Sequence, residues 1–523
     1  VTTPDSTYAK PFLTVREQIR RLRERGMECG THAYAAAVLE RYGYYRLSGY
    51  WHLYRVRPAP PAPGFDEEGR EIRLDSFVPG VELAHVVSLY EFDHELRSRL
   101  GDVLSAIEIS FRFFIGHRLG RVDKFAHRKP ELLGAMRDAD ERPLARAWHA
   151  LIRRPVARRE TPTRAYLDWL DEYDRHEKRA RGDFVLHFRD KYGPHLPIWV
   201  ATEVMSFGVL SKLYGLMPQA DQEVLAARFQ INAADGRGDR GALANWLNSL
   251  RNIRNIYAHY GRLWNRTFDV LIDAPGRSRK DAEDPLHSLA GEGVNNKLYG
   301  VLLVMQHLLR SISPTREDVV EIVDLIEERS RTVGFSTTQL GFPSDWRDNP
   351  IWDRGRALDD APMLAASLLD RVDALTAPQA RATLTAAEPE PSAEPRTPRQ
   401  MDGAKRGAQK SLLRTYLRYK VVIEIELGAT KYYPAFQFRD GKIIDALAEI
   451  NRNFAFKCPG ASSAELAKAM VDWWQAPHPD LPAALDGSDQ SPLDLLVAVP
   501  EYEFEETVRR ADATSSFAVR GKG

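Results

Sequence analysis

Cysteine is scarce in this chain. Cys29 and Cys458 are the two present among 523 residues, too few for a disulfide framework or a cysteine-rich zinc site. Long apolar runs are missing as well: no stretch of about 18 consecutive apolar residues occurs, so no membrane span is expected. Val1–Lys10 has no apolar segment of the secretory kind, and a reducing cytoplasm is the expected compartment. Net charge is absent too, since Lys plus Arg and Asp plus Glu both number 73. That balance excludes a uniformly basic nucleic-acid coat and an acidic disordered chain. Neither a G-x-x-x-x-G-K-[ST] phosphate loop nor a G-x-S-x-G nucleophile elbow is present. ATP hydrolysis and serine hydrolysis by those routes are therefore unsupported.

What is there is the composition of a globular protein, 43% hydrophobic and 28% charged. Its length suggests about three folding units at roughly 150 residues each. The zero net charge hides an asymmetry. Residues 1–270 hold 42 Lys/Arg against 35 Asp/Glu, a net of +7, and most of that charge is arginine. Arginine suits phosphate because its planar fork donates two parallel hydrogen bonds.

The apolar pattern predicts a mainly α fold with a smaller mixed α/β domain at its C-terminal end. Two helices are expected over 12–52, the first started by the Thr14-x-x-Glu17 capping box. A long helix is expected from about Pro79 to Gly120, where Leu89, Phe92, Leu96, Leu100, Val103 and Leu104 recur at helical spacing. Further helices are expected over Trp199–Leu216, Ala242–Trp264, Asn296–Ile312 and Arg316–Arg329. Loop insertions fall near 57–80 and 121–182. Large apolar residues nearly vanish around 376–408 in favour of Ala, Pro, Glu, Thr and Arg, so 373–410 reads as a linker. The division is then 1–372, a helical domain; 373–410, the linker; and 411–523, an α+β module. That module should hold strands at Val421–Leu427 and Tyr433–Phe438, a turn at Asp440-Gly441, and two helices.

The stretch richest in chemistry is Trp246–Arg266. At 100° per residue, Leu243, Trp246, Leu247, Leu250, Ile253 and Tyr257 gather on one face of a helix. Arg251, Asn255, His259 and Arg262 gather on an adjoining stripe. An imidazole, an amide and two guanidiniums on one stripe suit a phosphodiester, since histidine moves protons near neutrality and arginine stabilises developing charge. Arg254 lies about 140° from His259 on the wheel, near the apolar face, and needs a partner there. A structural arginine and a solvated histidine would give the same pattern.

Other clusters carry bland readings beside functional ones. Tyr45, Arg46, Tyr50 and Trp51 could stack on bases or meet RNA backbone, although such aromatics are more often core. Arg153, Arg154 and Arg158 could bind phosphates or simply be solvated. Asp93-His94-Glu95 is no metal site on a helix, because consecutive side chains diverge by about 100°. No metal and no cofactor are expected.

Five segments in order resemble one family. They are Lys10–Thr14 with Gln18, Tyr44–Trp51 (YYRLSGYW), Pro197–Leu210 (PIWVATEVMSFGVL), Arg254–Arg266 (RNIYAHYGRLWNR) and Gly341–Pro343 with Asp345-Trp346. Over roughly residues 8–353 the chain resembles abortive-infection proteins of the AbiD/AbiF type. Arg254–His259 also fits the R-x4-H motif of HEPN-fold ribonucleases. The resemblance implies a metal-independent RNA endonuclease of an anti-phage or toxin–antitoxin system, in which the RNA 2′-OH attacks its own phosphorus. His259 would be general base or acid, Arg254 would hold the phosphate and Asn255 would orient it. Arg251, Arg262, Arg46, Arg153, Arg154 and Arg158 would bind RNA. A homodimer is implied, because such sites form where two motifs face each other. Family members often have Cys-Ala-His-His where this chain has Tyr257-Ala258-His259-Tyr260, so Tyr260 replaces a second histidine.

Tyr433–Phe438, Trp473-Trp474, Leu485–Gly487 and Ser491–Leu496 resemble the toxin-binding domain of Xre/MbcA/ParS-type antitoxins, with a longer spacing and Ser491 in place of threonine. That implies protein binding or regulation by the C-terminal module; the partners expected of the chain are RNA and a toxin, an antitoxin or a non-coding RNA. The alternatives to a nuclease are a non-catalytic binder of a small RNA and a protein-interaction regulator.

Overall fold

The computed structural model describes residues 11–60, 63–67, 71–138, 160–356, 358–384, 398–478, 481 and 490–498. The chain is mainly helical, as its apolar spacing predicts. Helix α1 (Val15–Glu24) begins at the predicted capping box, with the Thr14 hydroxyl and the Glu17 carboxylate each bonded to the other's backbone. After α2 (His32–Tyr42), the aromatic cluster forms a short helix of its own, α3 (Tyr44–Trp51). The long helix is α4 (Leu83–Gly120). At 1.5 Å per residue its 38 residues span about 57 Å, and its buried positions form a broad face that leaves one strip, with Ser88, Asp102, Ile109 and Phe113, to solvent. It is the mast on which the others pack.

Two short strands pair antiparallel, β1 (Met136–Asp138) with β2 (Glu160–Pro162). Then come α5 (Arg164–Arg179) and α6 (Asp183–Tyr192), inside or just after the segment expected to be irregular. Their charged residues mask the pattern: α5 buries only Tyr166, Trp169, Tyr173 and Glu177. The expected helix over Trp199–Leu216 is two, α7 (Ile198–Val204) and α8 (Phe207–Leu216), broken where Ser206 caps the second through Val209 N–H. Next are α9 (Gln219–Arg228), α10 (Arg240–Ala258), α11 (Gly276–Lys280), α12 (Leu298–Ile312) and α13 (Asp318–Arg329). Helix α12 buries every residue from Leu298 to Ser311, so protein surrounds it on every side.

The second body begins earlier than expected. Helix α14 (Asp360–Arg371) packs on α18 (Ser463–Gln475) and buries Ala365, Ala366, Leu368 and Leu369 in the C-terminal core. The expected linker 373–410 is corrected accordingly. Within it, β3 (Ala374–Thr376) pairs with β5 (Thr430–Pro434), which pairs with β4 (Ile425–Leu427), all antiparallel. Helix α15 (Ala377–Thr383) lies against α16 (Pro398–Arg418). Leu375 and Leu384 are spaced far enough apart to look like linker yet anchor both ends of that segment in a core. The predicted turn is found: β6 (Phe438–Arg439) and β7 (Lys442–Ile443) join through Asp440 and Gly441, both at positive φ as a tight hairpin requires. Helices α17 (Asp445–Lys457), α18 and α19 (Pro492–Ala498) complete the body. Leu485–Gly487 lie outside the described residues.

The two bodies share a seam. Val224 and Ala227 of α9 are buried in the C-terminal core. At the end of α4, buried Arg118 donates to Asp221 of α9 (2.7 Å) and to Asp370 of α14 (3.0 Å). Among the described residues no helix is long and apolar enough to cross a membrane. Breaking a buried ion pair costs about 3–5 kcal/mol because it strands the remaining charge. Arg118→Met, which strands Asp221 and leaves Asp370 with Arg228 alone at 3.7 Å, is therefore expected to lower stability by about that amount in urea denaturation. An unchanged midpoint would show that the seam does not depend on this arginine.

Candidate functional site

Helix α10 carries the candidate motif. Asp239 starts it by accepting Ala242 N–H (3.0 Å), and also receives Gly276 N–H (2.9 Å). Leu243, Trp246, Leu247, Leu250 and Ile253 are buried, as the wheel predicts. The next buried position is Ile256 and not Tyr257, which is 38% exposed. The Tyr257 ring lies over Gly101 of α4, where an added Cβ would stand 2.6 Å from the ring. Only glycine leaves room for that ring.

The helix stops at Ala258 instead of running to Trp264. His259 is its C-cap, with N–H donated to the Asn255 carbonyl (3.1 Å). Tyr260 N–H reaches the Tyr257 carbonyl (3.0 Å), and Gly261 N–H reaches that of Ile256 (2.8 Å). This is the Schellman pattern, whose left-handed position usually holds glycine. Here Tyr260 occupies it at φ 54°, a conformation that costs an ordinary side chain about 1–2 kcal/mol.

A buried carboxylate holds this exit. Asp93 of α4, fully enclosed, accepts the backbone N–H groups of Leu263 (3.1 Å) and Trp264 (2.7 Å) and the Tyr50 hydroxyl (2.5 Å). Arg97, one turn on, donates to the same carboxylate and reaches the Gly261 carbonyl (3.5 Å). Burial pushes the Asp93 carboxyl up, against the pull of Arg97 and the other donors. Burial and the adjacent Asp93 carboxylate push the Tyr50 phenol up as well. Tyr50 and Trp51 are thus core, and Asp93 is a clamp for the chain after the motif.

The predicted residues fall into three groups. Arg254, half-buried, and Asn255 and His259, both exposed, share the last turn of α10. Among the described residues none of the three side chains has a hydrogen-bond or ion-pair partner. Arg46, exposed on α3, is brought to the same place, its guanidinium 5.9 Å from the Tyr260 ring centre. Arg251 is half-buried where α8 passes, close against Gly208, with its Nε enclosed and unpartnered.

Arg262 requires a correction. It does not continue the stripe of Arg251, Asn255 and His259, because the helix has ended. Its guanidinium donates to the Gly49 carbonyl (2.8 Å), and burial lowers its pKa. Arg153, Arg154 and Arg158 lie outside the described residues. Sequence reasoning missed the placement of Tyr260 and Gly101. A tyrosine before a glycine at a helix end is a weak stop signal, and a glycine inside a long helix does not say what it faces.

Two further features surround the motif. From Arg240 to Phe268 the chain has no Asp or Glu but five arginines. Ile109 and Phe113 are exposed on one face of α4, with Trp199 seated on Gly120 of that face, while the Tyr257 ring lies over Gly101 about 80° around the helix.

Comparison with known proteins places this site in a family context. The family model described as Abi-like protein matches residues 37–265. This segment, from α2 to just beyond the Asp93 clamp, is similar to that family. The segments at Lys10–Gln18 and Gly341–Trp346 lie outside the match. No curated protein and no solved structure matches the chain.

Two outcomes check the clamp and the strained turn. Asp93→Ala is expected to lower stability by about 3–5 kcal/mol, read in urea denaturation. Tyr260→Gly should be at least as stable as wild type, by up to about 1 kcal/mol, whereas Tyr260→Val should lose about 1 kcal/mol or more. Equal stability of both Tyr260 variants would remove the argument for strain.

Proposed function

We propose that the chain is an RNA endonuclease of an abortive-infection type, acting through the last turn of α10. The similarity of residues 37–265 to Abi-like proteins supports the abortive-infection setting. The observation that carries the chemistry is the unpartnered Arg254, Asn255 and His259 on one helix end, in a stretch free of acidic side chains. Elsewhere in this body arginines such as Arg97, Arg118 and Arg128 are committed to carboxylates.

In this reading His259 takes the proton from an RNA 2′-OH. The freed oxygen attacks the adjacent phosphorus and the bond to the 5′-oxygen breaks. The products are a 2′,3′-cyclic phosphate and a 5′-hydroxyl, the leaving oxygen receiving its proton from a second histidine. Arg254 balances charge on the non-bridging oxygens and Asn255 orients them. With one histidine per motif, the second comes from another copy of the chain. The exposed apolar face of α4 beside the motif supports such pairing. The C-terminal body, joined to the first through the Arg118 seam, serves as the regulatory or partner-binding module, with a toxin or antitoxin protein as its partner.

A second reading is RNA binding without cleavage. Tyr260 with Arg46 beside it and Tyr45 exposed favours stacking on bases. Induction of wild type, His259→Ala and Arg254→Ala in a bacterial host separates the two. Wild type alone should arrest growth and leave new RNA ends. Purified His259→Ala should cut at least about 10²-fold more slowly while binding RNA nearly as well. If all three chains behave alike, the motif is structural and binding is the function.

A further inference from the structure

A second set of unpaired arginines surrounds a cavity at the opposite end of α10. The loop after α9, helix α11, the end of α12 and the side chains of Ile351, Arg356 and Leu358 border a space of about 280 Å³. Arg277, Arg310 and Arg356 line it. Arg310 is 3% exposed, and its single side-chain bond goes to a neutral acceptor, the Asp353 carbonyl (2.5 Å). Among the described residues no carboxylate lies within ion-pair distance of any of the three. The one acidic side chain in the lining, Asp284, is occupied in accepting Leu286 N–H (2.8 Å). Burial and the neighbouring Arg356 lower the Arg310 pKa against the longer-range pull of Glu317 and Asp353, whereas the other buried arginines among the described residues, Arg97 and Arg118, touch carboxylates directly.

The rest of the lining is not merely ionic. Leu286, Ile351 and Leu358 form an apolar wall. Asn232 lines the space as well, and its Oδ1 is buried with no donor. Burial lowers the His307 pKa, and its Nε2 lies on the Phe229 carbonyl (2.6 Å). The volume is near the lower bound for small-molecule sites, about 300 Å³, and too small for an oligonucleotide.

We propose that this cavity binds a small phosphomonoester of nucleoside-monophosphate size, its phosphate held by Arg277, Arg310 and Arg356. Three unpaired forks supply the charge-assisted bonds a phosphate dianion takes. The apolar wall and Asn232 receive a ring and a hydroxyl or amine. The site is distinct from the motif: His307 packs on Trp246, 13 residues and so about 20 Å along α10 from His259. It lies where the two bodies meet, since Gln230 donates to the Asp359 carbonyl (2.8 Å) and Ala429 N–H to that of Gly236 (2.8 Å). The inference is independent of the nuclease reading.

The test is titration calorimetry and thermal melting of the full chain with AMP, GMP, CMP, UMP and inorganic phosphate, at ionic strength matched with KCl. At least one nucleotide should bind saturably with Kd below about 1 mM and raise Tm, with phosphate competing but weaker. Arg277 and Arg356 are exposed, so Arg277→Ala/Arg356→Ala should melt like wild type unliganded yet bind at least about tenfold more weakly. His259→Ala should bind like wild type. No saturable binding up to about 10 mM, unchanged affinity in the double variant, or phosphate binding as tightly as every nucleotide would each overturn the proposal.

Discussion

The geometry of the candidate site depends on one enclosed carboxylate. Asp93 gathers a phenol from α3, a guanidinium from its own helix and two backbone N–H groups from the chain leaving α10. A buried charge is tolerable only when such donors surround it. Here they come from three separate segments, so satisfying the charge also fixes where α10 must end and which way the chain turns. The exposed terminal turn, with Asn255 and His259 facing outward, is a consequence of that clamp. Gly101, one turn beyond Arg97 on the same helix, completes the arrangement by admitting the Tyr257 ring.

Arginine has two uses in this molecule. Arg97, Arg118 and Arg128 are buried or half-buried structural cations, each facing carboxylates across or along helices. Other arginines among the described residues have no carboxylate within ion-pair distance, among them Arg254 at the end of α10 and Arg277, Arg310 and Arg356 around the cavity near its start. Structural pairing consumes a charge, and only an unconsumed one can meet an external phosphate.

Much of the architecture was legible beforehand because it rests on short-range rules. The capping box at Thr14, the spacing of apolar residues along α4, α12 and α13, and the Asp440-Gly441 hairpin follow from local hydrogen bonding and periodicity. Misreadings arose where one signal was diluted. The charged surface of α5 hid a helix that buries four residues. The Ala- and Pro-rich composition around residues 376–408 outweighed the few leucines that fasten β3 and α15 into the C-terminal body. The wheel placed Arg251, Asn255 and His259 together, and failed at Arg262 because it assumes a helix that does not stop.

By itself, then, the sequence determined a helical protein, the elements that build it and the Arg254–His259 motif, since local spacing and capping chemistry decide these. The tertiary structure decided the rest. It decided that α10 ends at Ala258 with a tyrosine in a glycine position, that Arg46 stands beside that tyrosine, and that three arginines far apart in sequence share one cavity. These are contacts between segments up to about two hundred residues apart, set by which buried charges find partners, and no local pattern records them.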